Sequence, residues 1–267
     1  ALHPLYEKSE QWRELVATLA RRREATDDQS QRRQLLVRTA EVLSARLDSV
    51  SEAIDAWRGV IDEYGPDDES LRALEGLLAR AEQWQELGDT YERHLELVES
   101  DAERLTLLSK LGELRSDHLH DLEGALQVYR RSLTLDPSHA PSRQALERML
   151  GQDDRPALRE AAEILHPIYE ADGEHERLLR VVEIEVETSD DLDERLQSLQ
   201  KAISIAEDSL SDPSRAFVHA EAGVRAAAGH AELSPWLTHV ERLANKTERQ
   251  ADFVKLLCQV VPDIFDD

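Results

Sequence analysis

Along this chain the apolar residues recur at steps of three and four. Leu105, Leu108, Leu111 and Leu114, and then Leu122, Leu126, Tyr129 and Leu133, form the stripe of a helix buried on one side. Short polar breaks interrupt the stripes at Asp27-Asp28-Gln29, Leu47-Asp48-Ser49 and Gly65-Pro66-Asp67-Asp68, and again at Ser100-Asp101, His120-Asp121 and Asp136-Pro137-Ser138. These breaks place Asp, Ser and Pro where one helix stops and the next is capped. Only Val181–Glu187, VVEIEVE, alternates as a strand would. Its register with Leu15–Arg23 and Leu87–Leu95 predicts a helix there too, so the fold class is all-α.

The pattern repeats. SEQWREL at Ser9–Leu15 returns as AEQWQEL at Ala81–Leu87, 72 positions on, and the same offset carries Leu35 to Leu107, Ala53 to Ala125 and Trp57 to Tyr129. A third copy lies 91 positions further, with Arg104, Ala125 and Leu146 mapping onto Arg195, Ala216 and Leu237. Each copy holds four helices, or two hairpins of about 36 residues, near the ~34-residue period of one solenoid class. The expected organisation is two four-helix units over 1–150, an extra helix over 151–171 (Pro156–Glu170) acting as hinge or offset, a third unit over 172–244, and the start of a further repeat over 245–267. On this reading the natural protein continues in both directions. Pro4 and Pro167 align with Gly76, which reads as a repeated kink.

Leu111-Gly112, Ala125, Tyr129 and Pro137 resemble the tetratricopeptide repeat, and Leu74, Leu78, Trp84, Leu87 and Tyr91 do so more weakly. The step from Gly112 to Ala125 is one residue longer than the family's, and Ala40 stands where Gly is usual. The resemblance implies a right-handed α-α superhelix of stacked hairpins whose inner face, made by the first helix of each hairpin, binds partner proteins. Carried over by spacing, that face comprises Gln34, Val37 and Glu41, then Thr106, Ser109 and Glu113, then Gln197, Gln200 and Ser204. Independently of the family, a one-sided hairpin must stack on a neighbour to bury its face. Ala40, Ala53, Ala125 and Ala216 would let helices approach closely, and Trp12, Trp57, Trp84 and Tyr129 would fill the gaps.

Composition narrows the function. With 56 acidic against 32 basic residues the formal charge is -24, which repels nucleic acid. The charge suits a basic or extended peptide partner, or equally a solvated surface. No stretch approaches the roughly 18 apolar residues of a membrane span, and the first residues lack a signal-peptide pattern, so the chain reads as cytoplasmic. The single cysteine, Cys258, among Leu256, Leu257, Val260 and Val261, reads as buried.

No phosphate loop, dinucleotide fingerprint or nucleophile elbow occurs, so no cofactor and no catalytic residue are expected. Asp117-His118-Leu119-His120-Asp121 is the best metal candidate, though it falls at a turn where such residues are ordinary. His3 and His166 each precede a proline and read as turn or packing residues. The pairs Asp27-Asp28, Asp67-Asp68, Asp153-Asp154 and Asp190-Asp191 read as helix caps, and Arg21-Arg22-Arg23 as a helix C-terminus. The leading expectation is a non-catalytic scaffold holding a partner peptide or helix. Its rivals are a self-assembling spacer whose open repeat ends stack and, last, a metal-dependent enzyme.

Overall fold

The computed structural model describes Tyr6, residues 8–228 and residues 233–265, the last five by backbone alone. His3 and Pro4 of the sequence reading lie outside these residues, as does the side chain of Val261. Every regular element among them is helical. In chain order these are α1 (Trp12–Glu24), α2 (Gln29–Ala45), α3 (Val50–Tyr64), α4 (Asp68–Arg80), α5 (Trp84–Leu97), α6 (Asp101–Glu113), α7 (Leu122–Leu135), α8 (Ala140–Met149), α9 (Arg155–Asp172), α10 (His175–Thr188), α11 (Leu192–Ser204), α12 (Pro213–Ala226), α13 (Leu233–Lys246) and α14 (Gln250–Phe265). Val181–Glu187 lies within α10. The chain divides into two compact units between His139 and Ala140.

In both units each helix packs on the next one in sequence. In the first unit Leu36, Ala40, Ala53, Trp57, Leu71, Leu78, Leu87 and Leu111 make one continuous core. In the second, Ala161, Leu165, Val182, Leu199, Ala216, Phe217 and Trp236 are buried in the same manner. Ala40, Ala53, Ala125 and Ala216 are fully buried, as close helix approach requires. Trp57 and Tyr129 are buried, whereas Trp12 and Trp84 are only half-buried, the first beneath Arg46 and the second stacked on His118.

The helix starts follow the aspartates. The Asp28 carboxylate accepts from the Ser30 and Gln31 amides, Asp67 forms a capping box with Ser70, Asp154 accepts from Ala157 and Asp191 from Glu194. Arg21, Arg22 and Arg23 occupy the last turn of α1.

Two kinds of helix end recur. The first helix of alternate hairpins widens before stopping: α6 runs into a π turn at Leu114–His118 and α11 into one at Ile205–Ser209. The same wide bonds close all three copies, from Leu47 N–H to Val42 O (3.2 Å), Leu119 N–H to Leu114 O (3.1 Å) and Leu210 N–H to Ile205 O (2.9 Å). A π turn accommodates one extra residue, which accounts for the longer step between Gly112 and Ala125. The other ends are Schellman turns: Gln83 N–H donates to Leu78 O at 3.0 Å, Glu174 to Tyr169 at 3.0 Å and Arg249 to Ala244 at 2.9 Å. Their left-handed position is Gly173 in one copy but Glu82 and Glu248 in others, at φ 54° and 57°. A side chain there costs about 1 kcal/mol, so Glu82→Gly should raise stability by about 0.5 kcal/mol in urea denaturation.

Cys258 is exposed, not buried. Among the described side chains of α14, Leu256 and Val260 mark the covered face, which packs on α13 and α12, and Cys258 lies off that face. Apolar neighbours in sequence did not place it, because a helix turns each successive residue by about 100°.

Candidate functional site

The first helices of successive hairpins do not close upon each other, and grooves run between them. One in the first unit, about 730 Å³, lies between α2 and α4. Its floor is Ala45, Ala73, Gly76 and Leu77 with the edge of Trp57, residues too small or too deep to fill it. Four arginines line it, Arg38 from α2, Arg46 at the C-cap of α2, and Arg72 and Arg80 from α4, with two lining carboxylates, Glu41 and Glu69. Arg38 bonds Glu41 at 2.9 Å, Arg72 bonds Asp68 at 2.7 Å and Arg80 pairs with Asp48. The Arg46 guanidinium lies over the Trp12 ring, 5.2 Å from its centroid.

A second groove, about 230 Å³, shares α4 as a wall and has α5 and α6 opposite; Trp84, Tyr91, Lys110, Glu113 and His118 border it. The imidazole of His118 stacks on Trp84 at 3.9 Å. Burial, with Glu75 and Glu113 nearby, pushes the Tyr91 hydroxyl up to about 12. Beside it lies an ionic group built on a buried pair: His94 Nδ1 is 2.5 Å from Glu75 Oε1, while the exposed Asp68 and Lys110 flank them, Asp68 Oδ1 at 3.0 Å from His94 Nε2 and the Lys110 ammonium at 3.9 Å from Glu75.

The second unit carries the same group with its charges exchanged. Advancing by 91 positions turns Glu75, His94, Asp68 and Lys110 into His166, Glu185, Arg159 and Lys201. His166 Nδ1 is 2.6 Å from Glu185, and Lys201 Nζ is 2.6 Å from His166 Nε2. Acid and base have traded places while the lysine stays.

The grooves of the second unit are more acidic. That between α9 and α11 is bordered by Glu163, Glu185 and Glu194 with Arg159. That between α11 and α13, about 540 Å³, is bordered by Ser204, Glu207, Asp208, His239 and Arg242. Glu207 receives both Arg242 nitrogens at 2.6 Å and Lys246 at 2.9 Å, and these donors hold its carboxyl down at about 2. Because the folded value lies below the ordinary 4.5, the pairing stabilises fully above pH ~4.5 and is lost as pH falls toward ~2. Glu207→Gln should therefore cost about 1–2 kcal/mol at pH 7 and nothing near pH 2, as read by urea denaturation across that range.

Residues 70–105, from α4 to the start of α6, match the family model of the tetratricopeptide repeat. The chain is a tetratricopeptide-like helical repeat protein. No curated protein matches its sequence. Among solved structures this tetratricopeptide-like chain is similar to a tetratricopeptide repeat protein from Parabacteroides merdae (10% identity, 99% of this chain and 91% of that one, TM-score 0.40). It is also similar to Naa15/Naa10 bound to HypK-THB (12%, 100% and 43%, 0.41) and to the TPR2AB domain of yeast Sti1 in complex with pHSP90 (13%, 79% and 92%, 0.29).

In this tetratricopeptide-like framework the expected inner-face residues separate. Glu41 borders the α2–α4 groove, Glu113 the α4–α6 groove, Gln197 the α9–α11 groove, and Gln200 and Ser204 the α11–α13 groove. Gln34 and Thr106 are exposed on α2 and α6, Val37 and Ser109 are half-buried, and none of these four borders a groove named above. Spacing taken from one helix per 72-residue unit passed over α4, α9 and α13, and with them Arg72, Arg80, Arg159 and Arg242. A period of one hairpin would have found them. In the former metal candidate, Asp121 caps α7 through the Gly124 amide and His118 stacks on Trp84. Among the described residues no group of three His, Cys, Asp or Glu is placed to hold a metal ion, and no helix is long and apolar enough to cross a membrane.

Proposed function

We propose that this chain is a non-catalytic scaffold that holds an extended segment of a partner protein in the grooves between the first helices of its hairpins. One observation carries the reading: the α2–α4 groove, open, floored by small and apolar side chains and walled by guanidinium groups. That combination offers apolar burial together with directional hydrogen bonds, which is how extended segments are gripped. Tetratricopeptide-like repeats generally mediate protein–protein interaction, and the match at residues 70–105 includes the α4 wall.

Filling the groove tests it. Ala73 is half-buried and borders the groove, so Ala73→Trp places an indole where it closes the groove, and the comparison is made on protein whose helical content is native. Capture of partners on immobilised protein from the source lysate should lose a defined set with Ala73→Trp. Unchanged capture by a variant of native helical content would sink the groove reading.

A further inference from the structure

We propose that a clasp between His166 and Lys201 ties the two walls of the α9–α11 groove together near neutral pH, and that acid opens it by adding a proton to His166.

The clasp joins helices that otherwise meet through a third. α9 and α11 both pack on α10 between them. One turn beyond Glu163 and Ser198, which border the groove, Lys201 of α11 reaches across to α9, its ammonium 2.6 Å from His166 Nε2 and 2.9 Å from Glu170. Glu185 of α10 lies 2.6 Å from His166 Nδ1. These partners fix where the ring proton sits. An ammonium donates and cannot accept, so Nε2 must offer it a lone pair; a carboxylate only accepts, so Nδ1 carries the hydrogen. His166 is therefore the neutral ring protonated on Nδ1. That Lys201 is the ammonium is supported by Glu170, whose carboxyl it holds below the ordinary carboxylate range.

The equivalent ring in the first unit is held in the opposite state. His94 has Glu75 at Nδ1 and Asp68 at Nε2, so both nitrogens must donate and the ring is the imidazolium. The Arg72 guanidinium and this ring together hold the Asp68 carboxyl below its ordinary range. His94 already has the proton that acid would supply, and Lys110 addresses Glu75 instead of the ring. Acid thus acts on one copy of the group and spares the other.

A second proton on His166 removes the lone pair that Lys201 uses and sets two cations against each other. Lys201 must withdraw; Glu185 keeps its bond to Nδ1, and the walls stay joined only by the exposed Lys201–Glu170 pair, a weak tie. The other charged groups around the site are carboxylates and guanidinium groups. Arg159 bonds Glu163 and Glu194 along the groove, and α8 offers Arg143 to Asp172 and Glu147 to Tyr169 further along α9. From about pH 7.5 to about pH 5.5 these keep their charge, and imidazoles are the side chains that change. Besides His166, α10 begins with His175 and bonds His219 of α12 through Glu183.

The test uses the whole chain with Cys258→Ser and spin labels on Ala171→Cys of α9 and Gln200→Cys of α11, both exposed positions. Between about pH 7.5 and about pH 5.5 the distance between the labels should lengthen by about 2 Å, the scale of a helix shift. Ring-nitrogen NMR of the unlabelled chain at the higher pH should find one proton on His166, at Nδ1, and two on His94. His166→Gln, whose amide can accept from Lys201 and donate to Glu185 without titrating, should hold the short distance at both pH values. Lys201→Met should give the long distance at both, and His219→Gln or His175→Gln should respond as the parent does. A doubly protonated His166 or a singly protonated His94 at the higher pH, a distance that acid leaves unchanged, or a response that survives His166→Gln each overturns the proposal. No partner takes part, so its failure leaves the reading of the α2–α4 groove standing.

Discussion

Exchanging Glu75→His together with His94→Glu should restore most of the stability that either substitution removes alone. Both side chains are buried, at 6% and 2% exposure, and each satisfies the other. His94→Glu alone sets two carboxylates face to face in the core, and Glu75→His alone leaves two imidazoles competing for one arrangement. Breaking a buried ionic pair in this way costs about 3–5 kcal/mol. The paired exchange reproduces the arrangement that the second unit already holds, His166 on Glu185 with Lys201 behind it. Lys110 stands at the matching position to serve the new histidine. A deficit of about 1 kcal/mol should remain, because Asp68, where the second unit has Arg159, would face the new glutamate. Urea denaturation of the four proteins gives the coupling energy. Additive single and double effects would show that the pair does not act as a unit.

The second large effect comes from one methyl group. Gly223→Ala in α12 should destabilise by about 2–3 kcal/mol, because its Cβ would overlap the ring of Trp236, which is 2% exposed on α13. Neither partner can yield easily, as the indole is enclosed and the glycine backbone belongs to a helix. The same substitution at Gly76 should act in the opposite sense and stabilise by about 1 kcal/mol, since its Cβ meets open space and alanine is the better helix former. Helix propensity is common to both sites, so the difference between the two melting curves isolates packing. Loss of stability at both positions, or gain at both, would contradict it. Gly112 belongs with Gly223, because the Tyr129 ring occupies the space its Cβ would need.

These contrasts mark what was legible in the sequence. The stripes of apolar residues, the polar breaks, the caps at Asp28, Asp67, Asp154 and Asp191, and the offsets of 72 and 91 positions all appear in the structure as helices, turns and equivalent contacts. Each is a local property: helix periodicity and capping act within about four residues, so neighbouring letters suffice to express them. Even VVEIEVE was settled by its register with the other copies, because the repeat imposes one packing environment on equivalent positions.

Other features were decided only when helices met. The exposure of Cys258 depends on which face of α14 finds a neighbour. The four arginines of the α2–α4 groove come from α2, its C-cap and α4, with α3 between them in sequence, and no window along the chain contains the groove they form. Glu75 and His94 lie 19 positions apart, as do His166 and Glu185, and their exchange of acid for base conceals the equivalence from a comparison of letters. What is kept between the copies is complementarity of charge across a buried contact, a property of the pair and not of either residue. The sequence by itself determined where this chain forms helices and how they repeat, since those depend on near neighbours; the tertiary structure decided which side chains are buried together and which grooves stay open, since those depend on residues brought close only by packing.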